Sequence, residues 1–204
     1  MTKSATTSLA ELFQRIPKLV LFGAAALIQL ATLAWMVIDR AQILREGTEI
    51  TLQTSPVDPR DFLRGDYVVL NYDISQLPAG PLKGKFAREP NSTVFVKLRP
   101  NANGLYEAVS VHTDAVEVKS PEVLIRGHVH GICGIGRHVF CDGDDLLIRY
   151  NLESYFVPEG EGRKLEQILD KRRLAVVAAV LPSGRAAIKR LLVDGQPVYD
   201  EPWF

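Results

Sequence analysis

Two textures divide the chain. Residues 19–38 form an unbroken apolar run in which Gln29 and Thr32 are the only polar side chains and no charge occurs. Beyond residue 48 the apolar residues fall into short runs, often alternating with polar ones and separated by Pro, Gly, Asn and Asp. Alternation marks a strand with one buried face. It predicts strands over residues 49–54, 66–74, 93–99, 105–112, 123–132, 145–157, 174–181 and 186–193. Eleven of the twelve prolines lie in this part, nearly all between the runs, and "NANG" and "LPSGR" carry turn chemistry. The class expected is mainly β, an antiparallel β-sandwich or small barrel. One short helix interrupts it over residues 163–173, where Leu165, Ile168 and Leu169 recur at helical spacing.

Twenty helical residues span about 30 Å, the thickness of a bilayer's hydrocarbon core. Residues 19–38 are therefore expected to form a transmembrane helix, closed by Lys18 on one side and Asp39 and Arg40 on the other, with Trp35 near the headgroup level. A cleaved signal peptide would have a shorter apolar region followed by small residues, whereas this run ends in Trp35, Met36, Val37 and Ile38. A buried core helix is the third alternative. Lys3, Arg15 and Lys18 precede the run against the lone acid Glu11, a mild bias toward a cytoplasmic N-terminus. The organisation expected is a cytoplasmic segment over 1–18, the span over 19–38 and an extracytoplasmic β domain over 45–204. Within the first segment, Ser8 and Glu11 have capping-box spacing ahead of Pro17.

Charge adds mainly an exclusion. Lys and Arg total 24, as do Asp and Glu, and no basic block occurs, so nucleic-acid binding is set aside. Cys133 and Cys141 lie close enough for a hairpin to bring them together, making them a disulfide candidate in an oxidising compartment.

The stretch "RDFLRGDYVVLNYDIS", residues 60–75, reads as a tight entry into a strand. Gly65 gives the turn its backbone freedom and Asp66 accepts local hydrogen bonds. Val68, Leu70 and Tyr72 make the natural core face, with Tyr67, Val69 and Asn71 opposite. Here the chain resembles the GDYXXLXY family of bacterial membrane-anchored proteins. Gly65, Asp66, Tyr67, Leu70 and Tyr72 fill each position of the motif, after "PVDPRD" and Arg64, and residues 155–166 and 184–195 are similar to later blocks of that family. The resemblance implies a single-span protein of the bacterial inner membrane with a periplasmic β-rich domain and a multi-span membrane protein as partner. The family name labels a motif, not an activity.

Candidate chemistry is sparse. Ser55, Gly65, Asp66 and Lys97 follow the order of a Ser/Lys hydrolase similar to signal peptidase, but Ser55 lacks the methionine that follows the nucleophile there. His128 and His130 share a strand face and are weak metal candidates without a third ligand. "DGDD", residues 142–145, lacks the rest of a calcium loop. No nucleotide-binding or Gly-x-Ser-x-Gly signature occurs, and no cofactor is called for. The expectation is a membrane-anchored binding or accessory subunit for another envelope protein, using Arg60, Arg64, Gly65, Asp66, Tyr67, Leu70 and Tyr72. The alternative is an envelope hydrolase built on Ser55 and Lys97.

Overall fold

The apolar run forms helix α1 (Lys18–Glu46) in the computed structural model, which describes residues 17–55, 67–78, 91–132, 145–156 and 173–201. The segment preceding Pro17, the candidate cysteines Cys133 and Cys141, and residues 163–172 of the expected short helix lie outside the described residues. The large apolar side chains of α1 are exposed all round, from Leu19 (84%) through Phe22 to Trp35 (72%). A helix that is apolar on every side and buried by nothing has no stable place in water. At a mean hydropathy of 2.0 over its most apolar window, α1 is long and apolar enough to cross a bilayer. The Thr32 hydroxyl donates to the Ile28 carbonyl at 2.8 Å, so this polar group is satisfied within the helix itself.

The chain divides into two compact units, Met1–Arg40 and Ala41–Phe204. The second unit thus includes the last residues of α1. Within it, Ile43 and Leu44 from the last turn of α1 bury themselves against Ala179, Leu181 and Ala187. Gly47 closes the helix by donating its N–H to the Ile43 carbonyl at 3.0 Å. A Cβ at this position would sit 2.6 Å from that oxygen and 2.8 Å from the Val180 nitrogen, so only glycine fits.

Twelve strands follow among the described residues: β1 (Thr48–Ser55), β2 (Tyr67–Val69), β3 (Asn71–Tyr72), β4 (Gln76–Leu77), β5 (Thr93–Pro100), β6 (Tyr106–His112), β7 (Val123–Ile132), β8 (Leu146–Arg149), β9 (Ser154–Phe156), β10 (Leu174–Val180), β11 (Ala186–Val193) and β12 (Gln196–Asp200). A 3-10 turn, Asp73–Ser75, joins β3 to β4. The first sheet runs β12-β11-β10-β1-β3 and the second β4-β8-β7-β5-β6, while β2 and β9 form a two-stranded ribbon. All the strand pairs are antiparallel. The expected class, mainly antiparallel β, is the one observed.

A single core joins the two five-stranded sheets. Ile50 and Leu52 of β1 and Val176 and Ala178 of β10 meet Val94, Val96 and Leu98 of β5 and Ile125 and Val129 of β7. The alternation of β5 explains itself, since Val94, Val96 and Leu98 point in and Phe95 and Lys97 point out. β10 reads as a continuous apolar run because both its faces are covered. One packs into the core, and the other carries Ala179 under Ile43 and Leu44.

Two predicted strands are broken in the structure. The run over 66–74 is divided into β2, β3 and the 3-10 turn, and the run over 145–157 is divided into β8 and β9. In the second case Asn151 turns the chain with φ of 61°, a conformation that Asn tolerates. β12 lies beyond the predicted strands. It returns from β11 through Asp194 and Gly195, whose φ values of 50° and 79° make the mirror-image turn that closes two-residue hairpins.

Candidate functional site

The motif segment sits at a crossing of chain segments. Tyr67, Val68 and Val69 pair with Phe156, Tyr155 and Ser154, and the Leu70 N–H donates to the Glu153 carbonyl at 2.8 Å. Leu70 and Tyr72 are each 1% exposed, in line with the core face read from the alternation, while Val69 on the opposite side is open to solvent. The Tyr72 hydroxyl donates to the Leu152 carbonyl at 2.6 Å, and its N–H donates to Ser75 Oγ at 3.2 Å. From the other direction Tyr150 donates its hydroxyl to the Ile74 carbonyl at 2.7 Å, and its N–H donates to Glu153 Oε1 at 2.5 Å. Burial raises both phenols well above the usual tyrosine value, with the Glu153 carboxylate adding to the effect. Tyr155, bonded to Glu201, is pushed up to about 12 by its burial first and by Glu201 next.

These positions correct part of the expected binding set. Leu70 and Tyr72 are core residues that present no surface to a partner; they hold the 70–78 segment against 150–153. Tyr67 contributes a backbone pair with Phe156. Arg60, Arg64, Gly65 and Asp66 lie outside the described residues.

The structure does not bring Ser55 and Lys97 together. Ser55, at the end of β1, donates to Asp73 Oδ1 at 2.5 Å. Lys97, on the outer face of the other sheet, donates to Glu122 Oε2 at 3.0 Å, and Glu122 also accepts from Arg99. The two cations hold the Glu122 carboxyl below the ordinary glutamate range, with the Arg99 hydrogen bond the larger cause. Lys97 is thus committed to Glu122 and Ser55 to Asp73, and neither is bonded to the other. His128 makes a 3.4 Å contact with Thr93 Oγ1, and no group of three or more His, Cys, Asp or Glu gathers among the described residues.

What the sequence did not announce is a cleft of about 400 Å³ beside the motif. Residues 105–109 supply one side of its lining, and Asp73, Ile74, Gln76, Leu77 and Pro78 supply the other. It combines apolar and aromatic surface from Leu77, Leu105 and Tyr106 with the carboxylates of Asp73 and Glu107. The lining is drawn from segments separated by as much as 56 positions, between Gln53 and Val109, so no local pattern marks it. The clue available in the sequence was indirect: "NANG" at 101–104 places a tight turn before β6, and Asn101 Oδ1 caps that turn by accepting from the Asn103 N–H at 2.8 Å.

Compared with known proteins, residues 29–191 match the model of one family, described as GDYXXLXY protein. No curated protein and no solved structure matches the chain.

Proposed function

This chain belongs to the GDYXXLXY protein family, and on that premise we propose that it is a single-pass accessory protein of the bacterial inner membrane. Its helix α1 anchors it in the bilayer, and its periplasmic β unit binds a multi-span membrane protein. The observation that carries the binding reading is the cleft beside the motif, whose mixture of aromatic, apolar and charged lining suits recognition of another chain. Two residues of the motif then have an architectural task. Leu70 and Tyr72 lock the segment whose continuation, from Asp73 to Pro78, supplies one side of the cleft lining.

The test is purification of the tagged full chain from its native membrane in a mild non-ionic detergent, with quantitative mass spectrometry of what accompanies it. The expected result is one multi-span membrane protein at a fixed ratio to the bait. Recovery of the chain alone, under conditions that preserve its fold, would overturn the reading.

A further inference from the structure

We propose that the cleft is a vacant position between the two edges of one sheet, and that it is filled by an extended, basic segment of a partner protein running antiparallel to β6. This rests on the binding reading above and specifies its chemistry.

The first ground is the topology. In the order β4-β8-β7-β5-β6 the two ends of the sheet are β4 and β6, yet residues of both line the same cleft. Both edges of the sheet therefore contribute to one opening. Four antiparallel steps separate β4 from β6, so the two edges run in the same sense. One strand inserted antiparallel to both would pair with each edge in the pattern the rest of the sheet already uses.

The second ground is the way β6 enters the lining. Residues 105–109 contribute five consecutive positions. A strand presenting a face contributes every second residue, whereas one presenting its edge contributes consecutive ones. The cleft thus meets the backbone edge of β6, and the pairing on that side of β6 is confined to one bridge, Leu105 with Thr51, among the described residues. An edge of this kind is the element that strand addition uses, with main-chain hydrogen bonds giving affinity and side-chain pockets giving selectivity.

Charge decides the third point. Among the described residues the lining includes Asp73 and Glu107 and no Lys, Arg or His. Their bonded donors are neutral: Ser55 Oγ donates to Asp73 and Asn101 Nδ2 donates to Glu107 at 2.7 Å. Arg99, which lies across the strand pair from Glu107, directs its guanidinium to Glu122 instead. Two carboxylates whose bonded donors among the described residues are neutral favour a segment bearing Lys or Arg, and the apolar side chains of Leu77, Leu105 and Tyr106 favour hydrophobic residues between them.

The probe is a fluorescent peptide of alternating Lys and Val, added to the full-length protein in a non-ionic detergent, beside a Glu/Val peptide and a Lys/Val peptide N-methylated at alternate residues. Saturable binding of the first alone is expected, with amide-exchange protection over residues 105–112. Glu107→Lys, checked for fold by circular dichroism, should weaken it by about tenfold or more, the usual effect of placing like charges together across an interface. Equal binding of the N-methylated or Glu/Val peptide, protection confined to β12, or indifference to Glu107→Lys would overturn the proposal. So would β6 protection in a self-associated protein without peptide, which would assign the cleft to a second copy. Failure here with a stoichiometric membrane partner still recovered would leave the accessory reading standing; peptide binding without such a partner would do the reverse.

Discussion

Tyr72 and Tyr150 brace one another's chain segments reciprocally. The Tyr72 phenol donates to a carbonyl two residues beyond Tyr150, that of Leu152, and the Tyr150 phenol donates to a carbonyl two residues beyond Tyr72, that of Ile74. Both bonds are buried, so each phenol satisfies an acceptor that water does not reach. Tyr72→Phe and Tyr150→Phe should each destabilise the β unit by about 1–3 kcal/mol, because each leaves a buried carbonyl without its donor. Since either brace alone still holds the two segments, the double variant should exceed the sum of the singles by about 0.5 kcal/mol or more. Denaturant titration of the four proteins checks this, and strict additivity would refute the reciprocal arrangement.

The same phenols set an alkaline limit. Their folded pKa values lie above that of an unfolded tyrosine, about 10, and Tyr155 stands at about 12. A group raised in this way contributes its full stabilisation below the unfolded value and loses it as pH climbs through the folded one. Thermal stability should therefore hold up to about pH 10 and fall steeply beyond it. The part of the tyrosinate absorbance that is lost in Tyr72→Phe and Tyr150→Phe should appear together with unfolding, not before it. Ionisation of these residues in a still-folded protein would contradict the burial described.

Two glycines should respond to alanine for different reasons. At Gly47 the added carbon meets three backbone atoms, which cannot rotate away, and a loss of about 1–3 kcal/mol is expected. At Gly195 there is open space, and only the φ of 79° opposes the change, at roughly 1 kcal/mol. Melting temperatures of the two variants should fall in that order.

The exposed helix invites a direct test. Leu27→Arg together with Leu30→Arg introduces two charges into the apolar run, each costing roughly 2.5–3.5 kcal/mol at a membrane centre. The variant should pass from the membrane pellet into the supernatant on alkaline extraction, while the unaltered chain stays in the pellet. Equal retention of both would speak against α1 as the anchor.

Periodicity was a good guide wherever one face of a strand meets the core. Ile50 and Leu52 in β1, Val94, Val96 and Leu98 in β5, and Leu70 and Tyr72 in the motif all point as alternation requires. It failed where a single residue bends the chain, as Asn151 does between β8 and β9, because a left-handed turn leaves no periodic trace. β12 escaped notice for a related reason. Its Pro197 weakens the strand signal, although as the last strand of its sheet it has an edge on which a missing N–H costs nothing. The cleft was illegible because its lining is gathered from distant segments, with Asp73 and Glu107 meeting at one opening from 34 positions apart. The Ser55 and Lys97 pairing was plausible along the chain and dissolved in space, since β1 and β5 belong to different sheets.

The burial of Ile43 and Leu44 fixes where a water-soluble fragment can be cut. An excision at Gly47, the apparent border between helix and strands, would strip two apolar side chains from the outer surface of the sheet and bare Ala179, Leu181 and Ala187. Such a fragment would be sticky without being misfolded. One beginning at Ala41 keeps its own lid, so the practical border of the β unit runs through the helix and not after it.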